Sequence, residues 1–238
     1  MITTDYKPLS LTQSITRWAN SPMEIIYHQP VLTDEVIDGL NVLPGGNYID
    51  CTAGQGGHTE AILLRCTPEG NVLALDLDPS AINSSRSRLT SYTDNLSLFQ
   101  ISYTELDIAN KQSGLSHIDG ILFDLGLSSF QLDNSDRGFS FRRDESLDMR
   151  FDPMGNVTAY DIINNYNEEN IENILFTYGE ETRAKTIARR IVENRPIATA
   201  RMLASIVERA YKSARGRIHP ATKTFQAIRM AVNNELEN

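Results

Sequence analysis

The sequence predicts an open, doubly wound α/β sheet, and three observations predict it. Strand-length apolar runs at residues 48–53, 72–77, 96–101 and 118–124 alternate with helix-length stretches, the pattern of a mostly parallel sheet. The run Val72-Leu73-Ala74-Leu75 is apolar at every position, as a strand covered on both faces requires. The first two strands are joined through Gly54-Gln55-Gly56-Gly57-His58, a turn in which backbone can approach a ligand with no Cβ in the way.

Residues 1–23 are rich in Ser and Thr, with few periodic apolar positions. They read as a disordered or dispensable leader, with Met23 as a candidate start. Lys7 and Arg17 are the only basic residues there and Asp5 is acidic, which suits a mitochondrial presequence poorly, and no secretory apolar segment is visible. Patterned sequence begins near His28. Leu32, Val36, Leu40 and Leu43 share one helical face, Asp34 and Glu35 sit in the first turn, and Pro44-Gly45-Gly46 stops the helix. After the first strand and the glycine turn, Ala61-Ile62-Leu63-Leu64 forms the buried part of a short helix and Gly70 ends the connection. Pro79 opens a helix carrying Ile82 and Leu89.

The alternation stops after Leu127. Residues 128–156 are polar and loop-like. Ala184, Ile187, Ala188, Ile191 and Val192 then share a helical face, and Thr199 can cap a helix carrying Leu203, Ile206, Val207 and Ala210. After Pro220 a last helix with Phe225, Ile228, Val232 and Leu236 is expected to return to the sheet. The expected organisation is a leader at 1–23, a sheet domain at 24–127 plus 216–238, and a helical insertion at 128–215. Four strands are few for this architecture, so the sheet is expected to be incomplete at the C-terminus and the chain to be a piece of a longer one.

The formal charge of −9 argues against a polyanion partner, but it is unevenly spread. From Glu181 to Asn238 there are 12 Lys and Arg against 5 Asp and Glu, whereas the preceding residues carry 10 against 26. A basic C-terminal part on an acidic body can bind nucleic acid locally, or be only the solvated face of amphipathic helices. No apolar run is long enough to span a bilayer. Cys51 and Cys66 lack CxxC spacing, and His28, His58, His117 and His219 give no metal-ligand pattern. No metal is expected, and a reducing, cytoplasmic setting fits.

The chemistry centres on residues 48–78. A dinucleotide fingerprint beginning at Gly54 needs glycine at 59, where Thr stands, so pyrophosphate binding is disfavoured. A compact turn against an aminoacyl group, as in S-adenosylmethionine sites, fits better. Asp76 closes the second strand 20 residues after Gly56, where a carboxylate can accept both ribose hydroxyls. Asp124 closes the fourth strand, placing it with Gly126, Ser128 and Ser129 beside the same ligand. Tyr103 follows the third strand and packs either on an adenine ring or on the core. His58 reads as a hydrogen-bonding group at a helix start, and His219 has no evident partner.

Several segments closely resemble the bacterial RsmH (MraW) family, which N4-methylates a cytosine of small-subunit ribosomal RNA. They are His28-Gln29-Pro30-Val31-Leu32, Asp50-Cys51-Thr52-Ala53-Gly54-Gln55-Gly56-Gly57-His58, Asp76-Leu77-Asp78-Pro79 and Asp119-Gly120-Ile121-Leu122-Phe123-Asp124-Leu125-Gly126. More specific are Arg137-Gly138-Phe139-Ser140-Phe141, Leu147-Asp148-Met149-Arg150, Tyr178-Gly179-Glu180-Glu181, and His219-Pro220-Ala221-Thr222 with Phe225-Gln226-Ala227. The likeness covers residues 28–238. It implies a Rossmann-like S-adenosylmethionine-dependent methyltransferase acting on 16S rRNA within the small subunit, with donor-binding residues at Gly56, Gly57, His58, Asp76, Tyr103, Asp124 and Gln131. Tyr103 stands where the family usually has Phe, Phe130 replaces a Pro, Thr182 an Arg (with Arg183 adjacent), and Lys223 an Arg. The family also continues beyond the last helix.

The implied reaction is displacement at a sulfonium methyl carbon by a cytosine amino nitrogen whose lone pair is delocalised into the ring. Acceptors for the amino hydrogens would help, and Asp124 or backbone carbonyls of residues 126–129 could supply them. The sequence does not choose, so no catalytic residue is assigned. The target base must leave its stack. Arg183, Lys185, Arg189, Arg190, Arg201, Arg209, Lys212, Arg215 and Arg217 are candidates to hold RNA backbone. A donor-binding but inactive RNA-binding fragment is one alternative. A small-molecule methyltransferase is another, disfavoured by the basic insertion.

Overall fold

The structure, a computed structural model, describes residues 30–211 and 219–237. The leader, Met23, His28, Lys212, Arg215 and Arg217 lie outside the described residues. Four parallel strands, β1 (Asn47–Asp50), β2 (Asn71–Asp76), β3 (Leu96–Gln100) and β4 (Gly120–Leu122), form one sheet in the order β3-β2-β1-β4. From β1 the chain runs outward through β2 and β3, then crosses back to pair β4 on the other side of β1. The reversal between β1 and β4 is the switch point at which such sheets open a crevice beyond the strand ends.

Side chains of a strand alternate between faces, and the apolar strands show it. Tyr48 and Val72 pack on one face with Ile62, Leu63 and Cys66 of α2 (Gly57–Cys66) and Ile37 of α1 (Thr33–Gly39). Ile49, Leu73 and Leu75 pack on the other with Ala109 of α4 (Leu106–Ser113). Burial on both faces is why these strands carry no polar alternation. Helix α3 (Pro79–Arg88) starts at Pro79 as expected, capped by Asp78, whose side chain accepts from Ser80 N.

Two expectations are corrected near the N-terminus. In α1 the buried residue is Ile37, with Val42 just beyond; Leu32 and Leu43 are exposed. The helix has only two turns, so Leu43 lies past its end, and Leu32 adopts a left-handed conformation before it (φ 55°). In α2, Leu64 is exposed and Cys66 takes the inward position.

The remaining helices are α5 (Ser129–Asn134), α6 (Ala159–Asn165), α7 (Glu168–Gly179), α8 (Ala184–Glu193), α9 (Ala200–Glu208) and α10 (Thr222–Asn233). Ile171, Leu175, Ile187, Ile191, Leu203, Val207 and Ile228 share one apolar core with Phe139, Leu147 and Met149. Thr199 caps α9 as expected, accepting from Met202 N. The last helix does not return to the sheet. Phe225, Ala227 and Ile228 of α10 lie in the helical core, and α10 packs chiefly on α7. The crossing is close: a Cβ on Gly179 would sit 2.7 Å from Lys223 O and 3.0 Å from Ala227 Cβ. An apolar stripe fixes which face is buried, but not against what, and here it is the stripe of α7.

Among the described residues no helix is long and apolar enough to cross a membrane, and no group of three or more His, Cys, Asp or Glu could hold a metal ion.

Candidate functional site

A cleft of about 350 Å³ opens at the carboxyl ends of the strands. Its floor is the turn after β1. Gly54 and Gly56 hold positive φ (53° and 79°), a conformation that costs a side-chain-bearing residue about 1 kcal/mol or more. The turn is tied down on both sides: Gly54 N donates to Asp76 Oδ2 at 2.8 Å, and Ser85 Oγ of α3 donates to Gly54 O at 2.8 Å. A Cβ on Gly57 would meet the Pro30 ring at 2.9 Å, so the segment entering α1 closes over the turn.

Three carboxylates end adjacent strands. Asp50 is fully buried and accepts from Thr59 Oγ1 at 2.7 Å and Thr52 N at 3.1 Å. Burial raises its pKa against those two bonds. Asp76 accepts from Gly54 N and, at 2.9 Å, from Asp78 N. Burial pushes it up to about 6, opposed by those backbone donors and reinforced by the charges of Asp78 and Asp50. Each Asp76 oxygen keeps lone-pair capacity beyond its single backbone donor. Asp124 differs: its side chain is 54% exposed, and its backbone N donates to Thr52 Oγ1 at 2.8 Å.

His58 opens α2 with its ring buried. Nε2 lies 3.6 Å from Asp124 Oδ2, and Nδ1 is buried without a hydrogen-bond partner, a polar atom left for something else to satisfy. Tyr103 packs edge-to-face on Phe123 at 5.6 Å between centroids. Its hydroxyl is held above its ordinary pKa by burial and by the Glu235 and Cys51 charges.

Of the seven residues expected at a donor site, Gly57, His58, Asp76, Tyr103, Asp124 and Gln131 line this one cleft. Gly56 does not; it faces α3, where a Cβ would meet Ser85 Oγ and Leu89 Cδ1 at 3.1 Å, and Gly54 and Gln55 take the lining positions. Gln131 is buried and hydrogen-bonded through both its oxygen and its nitrogen. Its Oε1 accepts from Ser128 N and its Nε2 donates to Asp78 Oδ2 at 3.0 Å. Gly126 has open space around it and φ 146°. The cleft thus presents open glycine backbone, an ionisable acceptor, an aromatic ring and an unsatisfied imidazole nitrogen. That donor set fits a ligand with a ribose-like diol and a polar tail.

The cleft also has lining the motifs did not announce. Phe151 follows the Leu147–Arg150 segment, and Asn233 and Glu235 come from the end of α10. Glu235 binds Arg229 through both oxygens at 2.7 and 2.8 Å, and burial raises its pKa against that ion pair. The specific segments themselves are largely structural. A Cβ at Gly138 would collide with Ser146 O. Asp148 holds Arg150 through two oxygens at 2.8 and 2.7 Å. His219, unpartnered to sequence reasoning, stacks on Phe141 at 4.3 Å and pairs with Glu208 at 2.8 Å.

Among the candidate RNA-holding residues, Lys185, Arg189, Arg201 and Arg209 are exposed on α8 and α9 or at the end of α9. Arg183 is exposed as well, but its guanidinium lies over the Tyr211 ring at 4.7 Å and donates to Ala210 O. The Nε of Arg190 is buried.

Curated relatives match along most of the chain. Ribosomal RNA small subunit methyltransferase H of Dehalococcoides mccartyi is 48% identical over 211 residues, covering 89% of this chain and 60% of that protein. The proteins of the same name from Cyanothece sp. and Fervidobacterium nodosum are 48% and 47% identical, with 89% of this chain covered and 70% and 73% of theirs. The chain therefore spans about three fifths of the length of the Dehalococcoides relative. Among solved structures, an rRNA methylase from Streptococcus thermophilus aligns with 42% of this chain and 57% of its own at 21% identity and TM-score 0.33, a likeness too slight to argue from. The profile of the MraW methylase family matches residues 25–238, and the chain belongs to that family.

Proposed function

We propose that this chain carries the donor site of an S-adenosylmethionine-dependent enzyme that methylates the exocyclic N4 of a cytosine in 16S rRNA of the small ribosomal subunit, in the cytoplasm. The observation that carries the reading is the convergence of Gly57, His58, Asp76, Tyr103, Asp124 and Gln131 on one cleft at the switch point of a parallel sheet. Identity at nearly half of the aligned positions with proteins named ribosomal RNA small subunit methyltransferase H supports the substrate class.

In this reading Asp76 accepts the ribose hydroxyls with the capacity its backbone donors leave free. Tyr103, steadied by Phe123, presents a ring to the purine. The open backbone at residues 54–57 admits the aminoacyl end, and the unsatisfied Nδ1 of His58 meets its polar atoms. When bound, S-adenosylmethionine supplies an electrophilic methyl carbon. Asp124 is the exposed carboxylate at the cleft, and its oxygens accept the hydrogens of an incoming amino group. That localises the nitrogen lone pair, offsets the positive charge that would develop as the sulfur–methyl bond breaks and the thioether leaves, and gives the amino proton an acceptor in the Asp124 carboxylate. The walls from both layers hold the two reactants in line. The target base enters unstacked, with Lys185, Arg189 and Arg201 available to phosphates.

The test is mass spectrometry of 16S rRNA from a strain lacking the N4-methylcytosine, complemented with this sequence in its natural reading frame. Restored methylation is expected. Failure to restore it while the protein still binds S-adenosylhomocysteine would leave a donor-binding, RNA-binding module. Methylation of a small molecule instead would remove the rRNA assignment.

A further inference from the structure

Asp78 follows β2 by two residues and caps α3, yet the cap uses only one of its oxygens. Oδ1 accepts from Ser80 N at 3.0 Å. Oδ2 faces away from the cap and takes two donors from another part of the chain, Gln131 Nε2 at 3.0 Å and a guanidinium nitrogen of Arg137. The carboxylate is 1% exposed. Burial opposes its charge, but Arg137, Gln131 and Ser80 together hold its pKa below the ordinary value.

The hydrogen bonds continue from there. The other terminal nitrogen of Arg137 donates to Arg150 O at 3.0 Å and Phe151 O at 3.1 Å. Phe151 N donates to Asn233 Oδ1 at 2.7 Å, and Asn233 Nδ2 donates to Met149 O at 2.7 Å. An unbroken series therefore runs from the carboxyl end of β2, next to Asp76, into the helical layer and on to the end of α10. Gln131, Phe151 and Asn233, three stations on it, line the cleft. A buried ion pair adds little net stability, whereas its geometry is strict because either partner left alone is stranded. One planar guanidinium turns one terminal nitrogen to a carboxylate and the other to two carbonyls; a lysine ammonium has three donors but not this fixed fork.

We propose that Asp78 and Arg137 are positioning residues for the donor site. They hold the wall made by Gln131, Phe151 and Asn233 at a fixed distance from the glycine turn and Asp76, so that the site is completed by both layers of the fold. Neither touches the reacting atoms. The identity of the donor rests on the function proposed above; the mechanical role does not.

The test uses R137K and D78N in the full chain, with three readouts. S-adenosylhomocysteine affinity is measured by calorimetry, affinity for a 16S rRNA fragment by fluorescence anisotropy, and amide exchange without ligand by NMR. Loss of one charge-assisted bond predicts an affinity for S-adenosylhomocysteine weaker by about tenfold or more in R137K, with RNA affinity within about twofold of wild type. Exchange at the Phe151 amide accelerates while that of β1 does not. The D78N/R137K double variant is no weaker than R137K, because the pair acts as one unit. Wild-type donor affinity together with wild-type Phe151 exchange in R137K overturns the proposal. So does an equal loss of donor and RNA affinity, which marks general loosening. If wild-type protein does not bind S-adenosylhomocysteine, the donor reading fails and the exchange readout still decides the positioning role. Should R137K not fold, D78N, whose one side-chain oxygen can serve Ser80 N or Arg137 but not both, gives the same readouts, with a thermal melt reporting any loss of the α3 cap.

Discussion

The ionisation of Asp76 gives the most direct test of the donor site. Its carboxyl titrates at about 6 because burial outweighs the hydrogen bonds from Asp78 N and Gly54 N. Only the ionised form can accept from both hydroxyls of a ribose with both of its oxygens, so donor binding favours it. At pH 8 nearly every molecule is competent. At pH 6 about half are, and at pH 5 only about one in ten. Apparent affinity should therefore fall by about tenfold between pH 7 and pH 5, and level off below the lower pKa the group acquires in the complex. Calorimetric titration with S-adenosylhomocysteine across pH 5–8 measures this. Near pH 6, heats in buffers of different ionisation enthalpy should also show proton release. D76N should bind weakly and without the pH dependence. Glu235 lines the same cleft and is also raised by burial, so E235Q, retaining the wild-type profile, excludes it as the source. A flat affinity from pH 8 to 5, or a D76N profile matching wild type, refutes the assignment. The sign for stability is the reverse of the sign for binding. With a folded-state pKa above the ordinary 3.8, Asp76 favours the fold most at low pH, and that contribution is lost as pH rises through about 6. Asp78, held below 3.8, contributes above that value and loses its contribution as pH falls through its folded pKa.

Three other outcomes are expected. G57A places a Cβ 2.9 Å from the Pro30 ring and should cost about 1–3 kcal/mol of stability by overpacking, with weaker donor binding, both read by thermal melts with and without ligand. G179A sets a Cβ 2.7 Å from Lys223 O and should destabilise by about 1–3 kcal/mol in urea melts; a neutral effect would mean that α7 and α10 do not cross as described. Reversing charge at Lys185 and Arg189, exposed on one face of α8, should weaken binding of an rRNA fragment most at low salt and reduce the salt slope by about 2. Unchanged affinity and slope would leave that face merely solvated.

What was legible in the fold is what local chemistry dictates. The parallel sheet could be read because Tyr48 and Ile49, or Val72 and Leu73, must each find an apolar layer on opposite faces. Helix α9 could be read because Thr199 supplies its own N-terminal acceptor. The same signal stands at the start of other helices. Ser128 with Gln131 and Thr158 with Asp161 form reciprocal caps for α5 and α6, and Asn167 caps α7 ahead of Glu168 and Glu169. These S-x-x-Q and T-x-x-D spacings distinguish helix starts from loop. The partner of α10 was not legible, since the periodicity of Phe225 and Ile228 is satisfied equally by a sheet or by another helix.

The site divides along the same line. Gly57, Asp76 and Asp124 lie at strand ends or in the turn between strand and helix, so sequence position alone places them around one crevice once the sheet is parallel. Asp78 could not be found in that way. Its neighbours in the chain mark it as a helix cap and nothing more, and Ser80 satisfies that role. Its second role depends on Arg137, 59 residues away, and the value of Arg137 depends in turn on carbonyls at Arg150 and Phe151 that carry no side-chain signature. Backbone acceptors are the same in every residue, so a contact made to them leaves no trace in the sequence of the acceptor. The wall opposite the glycine turn is held in part by such contacts, which is why the family resemblance points to Gln131 whereas Phe151 and Asn233 are placed at the cleft only in three dimensions.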